Sequence, residues 1–165
     1  MSDRNITERL QPSLLDRLTD MHPGESTERR EERVIDVRRL REIVQRDLSW
    51  LLNTNSHESL IDAAAYPNVS NSVINYGVRA VAGGASNQNR AQEIRLMIQR
   101  AIEKFEPRLE QGTVEVAIRQ EKSASGSTLS YDIRAVMWAQ PVPMELYLRS
   151  EVNIATGELT LERTG

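Results

Sequence analysis

The chain has 165 residues, no cysteine and a formal net charge of −3. That fits one domain with a core of its own, and it excludes disulfide frameworks, thiolate catalysis and cysteine-ligated zinc. The acidic balance gives no support to a broad nucleic-acid-binding surface. No run approaches the roughly eighteen apolar residues of a membrane span, so a cytoplasmic protein with no direct membrane insertion is expected. Apart from Lys104 and Lys122 every basic side chain except histidine is arginine. Planar guanidinium forks suit interfacial ion pairs, although genomic base composition explains the same bias equally well.

Residues 1–12 are polar and read as loose. Ser13 then offers a helix cap, with Leu14, Leu15 and Leu18 at helical spacing behind it. So short an apolar stripe cannot stand alone in water and must dock, either on its own domain or on a partner. Met21 to Arg33, with Pro23-Gly24 and the run Glu28-Arg29-Arg30-Glu31-Glu32-Arg33, reads as a solvated linker. The division is a docking peptide and linker over 1–35 and a main domain over 36–165.

From Asp36, a candidate N-cap, to Leu52, the apolar residues Val37, Leu40, Val44, Leu48 and Leu51 recur at steps of three and four, which predicts one buried helix face. After Asn53 the pattern breaks. Tyr66-Pro67-Asn68, Asn75-Tyr76-Gly77 and Gly83-Gly84 mark a long irregular connection, which in a compact domain is either functional or packed on itself. A second helix is predicted from about Asn89 to Glu106, with Ile94, Ile98, Ala101, Ile102 and Phe105 on one face and Gln92 completing a capping box with Asn89.

The last third alternates with period two: Val114, Val116 and Ile118, then Leu129, Tyr131, Ile133 and Ala135, then Leu146, Leu148, Val152 and Ile154. Ser125-Gly126-Ser127 and Ala155-Thr156-Gly157 are turn-sized, and Leu159 to Arg163 forms a final strand. Helices followed by antiparallel strands predict an α+β domain, with two main helices covering one face of a sheet of about four strands.

Ile102-Glu103-Lys104-Phe105-Glu106-Pro107-Arg108-Leu109 is an unusual helix ending. Glu106 meets the negative end of the helix macrodipole, at a cost of roughly 0.3–1 kcal/mol when exposed. Pro107 pushes Glu106 out of the α region and fixes the direction in which Arg108 departs. A rigid, charged corner results, made either for a partner or for an intramolecular brace between helix and sheet.

Enzymatic chemistry finds little footing. The two histidines, His22 and His57, fall in predicted loops with no nucleophile elbow. Gly83-Gly84 lacks a phosphate-loop lysine or dinucleotide spacing, and no histidine pair has metal-ligand spacing; neither cofactor nor metal is expected. Glu103 and Glu106 stand three apart, as a glycosidase pair could, yet Arg100, Lys104 and Arg108 disfavour the raised pKa a general acid needs.

Four segments in order carry a resemblance: Pro12-Ser13-Leu14-Leu15-Asp16-Arg17-Leu18; Arg46-Asp47-Leu48-Ser49-Trp50-Leu51-Leu52-Asn53-Thr54; Tyr66-Pro67 with Ser72-Val73-Ile74-Asn75-Tyr76-Gly77; and Phe105-Glu106-Pro107-Arg108-Leu109. Together they resemble the TssE family, the small wedge of the type VI secretion baseplate, which is similar to wedge proteins of contractile phage tails. The amino-terminal leucine peptide favours the secretion branch. The resemblance implies a non-enzymatic part of a cytoplasmic baseplate, working with TssF, TssG and TssK. It would seed the TssB–TssC sheath around the Hcp tube.

Carried over residue by residue, the resemblance assigns Glu106, Pro107 and Arg108 to the wedge interface. Leu14, Leu15 and Leu18 form an amino-terminal docking surface. It also implies that a sheet edge accepts a strand from the first sheath ring. The candidate edge is Leu159, Thr160, Leu161, Glu162 and Arg163; the alternative is that its polar alternates Glu158 and Glu162 serve simple edge protection. The competing expectation is a lysozyme-like peptidoglycan hydrolase of a contractile machine. A soluble adaptor outside any secretion system is a third.

Overall fold

The computed structural model describes residues 13–19, 23–24, 35–83, 87–119, 128–138 and 143–163. In chain order these form α1 (Leu14–Leu18), α2 (Val37–Asn53), a 3-10 turn at Glu58–Leu60, α3 (Pro67–Ser70), a second 3-10 turn at Val73–Asn75, and α4 (Gln88–Phe105). The strands β1 (Glu115–Arg119), β2 (Thr128–Met137), β3 (Met144–Asn153) and β4 (Leu159–Arg163) follow. They pair antiparallel in the order β1-β2-β3-β4, so the expected α+β fold is the observed one. The readings of residues 1–12, of most of the linker and of the Ser125-Gly126-Ser127 turn lie outside the described residues.

α2 begins where the sequence places it. The Asp36 carboxylate accepts from the Arg39 amide at 2.7 Å, satisfying one of the donors that a helix start leaves free. Leu40, Ile43, Val44, Leu48, Leu51 and Leu52 are buried, and full burial of each leucine contributes roughly 1.5–3 kcal/mol. α4 starts two residues earlier than the capping-box reading allows. Asn87, not Asn89, is the cap and accepts from the Arg90 amide at 2.8 Å. The buried stripe opens at Ala91, one turn after Asn87, so packing selects the earlier of two equally suitable asparagines.

Both helices lie on one face of the sheet. Val116, Tyr131, Ile133, Leu148, Val152 and Leu159 are buried beneath them, while Glu115, Arg134, Glu145 and Glu151 on the opposite pleat are exposed, as period two requires. The Tyr131 hydroxyl donates to the Ala91 carbonyl at 3.1 Å, pinning the middle of β2 to the first turn of α4.

The connector between α2 and α4 is packed on itself. Val78 donates to the Thr54 carbonyl at 2.8 Å and Ser56 donates to Val78 at 2.9 Å, forming a parallel bridge between Asn55 and Val78. Gly77 makes that closure possible. Its φ is +114, and a Cβ there would lie 2.2 Å from the Thr54 oxygen, a space that only glycine leaves open. Tyr76 meets Phe105 edge to face at 5.3 Å, which seats the connector against the carboxyl end of α4.

Candidate functional site

The Glu-Pro-Arg corner turns inward. Glu106 caps α4, its amide donating to the Ile102 carbonyl at 2.9 Å, and with Pro107 following, its backbone leaves the helical region at φ −115 and ψ 83. The side chain is only 5% exposed. One carboxylate oxygen accepts from the Arg108 amide at 3.1 Å and from Arg108 Nε at 2.6 Å, and the other accepts from Arg108 Nη2. The cost of a glutamate at a helix C-terminus is thus offset by a bidentate guanidinium two residues on.

Arg108 does not stop there. Its Nη2 also donates to Asp47 Oδ2 on α2 at 2.8 Å. Asp47 Oδ1 accepts from Arg46 Nε at 2.9 Å and Nη2 at 2.7 Å. Arg46 in turn forks onto Asp16 of α1 at 2.5 and 3.2 Å and lies 4.7 Å over the Trp50 ring. Asp16 also takes the Ser13 hydroxyl. Charges alternate without a break from Glu106 through Arg108, Asp47 and Arg46 to Asp16, so α1, the middle of α2 and the carboxyl end of α4 share one network.

The electrostatics follow from those contacts. Burial opposes the Arg108 cation, but the hydrogen bonds and fields of Glu106 and Asp47 outweigh it and hold its pKa above the ordinary arginine range. The Asp16 hydrogen bond does the same for Arg46, against partial burial and with help from Asp47. The Arg46 bond holds the Asp16 carboxyl below the usual carboxylate range, opposed by burial and aided by Ser13. Tyr76 is pushed up first by burial and then by the Asp47 and Glu106 charges.

Among the residues singled out from the sequence, Glu106 and Arg108 are brought together and Pro107 stays exposed. Leu14, Leu15 and Leu18 are 71, 50 and 74% exposed. α1 therefore docks through Asp16 and leaves its leucines uncovered. β4 is an edge of the sheet, as its proposed role requires. Its outward side is nevertheless occupied. Because Asn153 donates to Glu158 at 2.9 Å, the register makes Thr160 and Glu162 bond β3 and turns the backbone groups of Leu159 and Leu161 away from the sheet. Asn53 both donates to the Leu159 carbonyl at 2.8 Å and accepts from its amide at 3.0 Å. Gln45 donates to the Leu161 carbonyl at 3.0 Å.

The hydrolytic pair does not assemble. Glu103 accepts from Gln99 at 3.3 Å, whereas Glu106 is committed to Arg108. No group of residues suited to a metal exists among the described residues. Asp47, Arg46 and Asp16 escape a sequence reading of the site. The available signals are that all three fall in the segments that carry the resemblance and that Asp47 stands beside Leu48 near the buried stripe of α2.

A small α+β module in which one charge network ties α1, the middle of α2 and the carboxyl end of α4 together is the class of protein that this geometry defines. The model for the family described as baseplate wedge protein gp25 matches residues 38–142, and the chain belongs to that family. Comparison with curated proteins and with solved structures finds no significant match. Membership identifies a phage-tail-like baseplate component, in a family that is structural in phage tails.

Proposed function

We propose that the chain is a wedge of the TssE type in a cytoplasmic type VI secretion baseplate. There it binds TssF and TssG, works beside TssK and helps to start the TssB–TssC sheath around the Hcp tube, without catalysis of its own. The observation that carries this reading is family membership across α2, the connector, α4 and the first strands, joined to α1, whose leucines are exposed while its Asp16 is anchored. A docked helix with an uncovered apolar face fits a part that is finished by assembly.

Within this reading the Glu106–Arg108–Asp47 brace sets the shape of the wedge surface. Pro107 and the exposed flank of Arg108 make the contact, Leu14, Leu15 and Leu18 supply a second one, and a sheet edge receives a sheath strand. The hydrolase alternative loses support from the geometry, because both carboxylate oxygens of Glu106 are taken by the Arg108 guanidinium while Glu103 bonds Gln99. Deleting the gene and restoring it tests both at once. Sheath assembly that depends on the chain, with no clearing of purified cell wall by the protein, supports the wedge; clearing of cell wall supports the hydrolase.

A further inference from the structure

The two edges of the sheet are treated differently by the helices above them. At β4, the outward groups of Leu159 and the outward carbonyl of Leu161 are taken by Asn53 and Gln45 of α2. An arriving strand would have to displace both amides. At β1 the register pairs Glu115 with Arg134 and Ala117 with Asp132. Val136, which continues this register, turns its carbonyl and amide to the β1 side, toward Glu110 and the Thr113 hydroxyl. By alternation Glu115, Ala117 and Arg119 bond β2, and Val116 and Ile118 present their amides and carbonyls to the open edge. Gln99 reaches only as far as the Val114 carbonyl, at 3.1 Å. Among the described residues no side chain bonds the backbone of Val116 or Ile118.

Beside this open stretch runs a groove of about 570 Å³, lined by Asn87, Ala91, Gln92, Arg95, Ile118 and Leu129. Ala91, Ile118 and Leu129 give it an apolar side. Its rim carries Arg95, whose guanidinium, among the described residues, donates only to the neutral amides of Gln92 and Gln99. We infer that the strand-accepting edge is β1 at Val116 and Ile118, and that the occupant is an extended partner segment with an apolar side chain for the groove and an acidic one for Arg95. Four backbone groups give such a segment its register, and the groove gives it selectivity for alternate side chains. β4 is the closed edge, sealed by side-chain amides in the way natural sheets protect themselves from unwanted pairing. The assignment rests on the strand-acceptance reading above and moves its site from β4 to β1.

A benzophenone amino acid is placed at Ala117 or, separately, at Thr160; both are exposed edge positions that contribute little to the core. Each version is expressed in cells where it restores sheath assembly, and irradiation is followed by mapping of any adduct on the sheath chain. The inference expects an adduct from Ala117, on an extended segment bearing apolar and acidic residues, and none above background from Thr160. An adduct from Thr160 alone, or equally from both, overturns the assignment to β1 while leaving strand acceptance standing. Sheath assembly with no sheath adduct at either position overturns strand acceptance itself. Adducts joining two copies of this chain at Ala117 overturn the assigned occupant.

Discussion

The carboxylate of Asp47 and the guanidinium of Arg108 meet at 2.8 Å across 61 positions of sequence. Asp47 lies inside α2 and Arg108 two residues past the cap of α4, so this contact ties the body of α2 to the carboxyl end of α4. Pro107 holds the approach and Glu106 completes it from behind.

Arg108→Glu places a third carboxylate against Glu106 and Asp47. Breaking a buried pair costs about 3–5 kcal/mol, and Arg108 keeps 27% of its side chain exposed, so a loss near 2–3 kcal/mol is expected. For a chain of this size that lowers Tm by roughly 4–12 °C. The Arg108→Ala and Asp47→Ala double-mutant cycle isolates the pair. A coupling below about 0.5 kcal/mol would mean that the contact is inert.

Gly77→Ala is expected to be among the most damaging single changes outside the core. Positive φ and a Cβ driven to 2.2 Å from the Thr54 oxygen act together, for at least about 3 kcal/mol. Gly83→Ala is the matched control. Gly83 also has positive φ, but its Cβ meets nothing within 4 Å, so it loses only about 1–2 kcal/mol of backbone preference. Urea midpoints for the two variants check this, and equal losses would show that the Thr54 approach does not matter.

Serine at Leu14, Leu15 and Leu18 together removes the exposed stripe of α1 without opening a cavity. Each change stays within about 0.5 kcal/mol, so Tm hardly moves while baseplate assembly weakens. Acid acts on the other face of the same helix. The Asp16 carboxyl is held below its unfolded value by Arg46, so its contribution is present above about pH 4 and is lost as the pH falls through the lowered pKa. Indole resonances of Trp50, stacked by Arg46, should shift in that acid window in the wild type. In Asp16→Asn they should already be displaced at neutral pH. An acid shift unchanged by Asp16→Asn would assign it to another group.

The architecture was legible wherever a period was long enough to count. Two helices with buried stripes and strands alternating in and out needed no tertiary knowledge, and Ser13 and Asp36 announced their helices correctly. The cap of α4 was not legible, because Asn87 and Asn89 carry the same chemistry and only the packing of Ala91 separates them. At the site, the oddity of Glu106 before Pro107 was visible as a cost at the helix end, and its solution was in part visible as well, since Arg108 is only two residues away. Asp47 was hidden because pairing across 61 positions leaves no periodic trace. The sealing of β4 was hidden for the same reason, since Asn53 and Gln45 read as ordinary polar helix positions until the Leu159 and Leu161 carbonyls lie beside them.

Co-purification with TssF and TssG most directly tests the wedge reading, using wild type and the Leu14, Leu15, Leu18 triple serine variant, with circular dichroism in parallel. Wild type that co-elutes with both partners, and a folded triple variant that is depleted from the complex, is the predicted result. Folded wild type that binds neither partner would contradict the account.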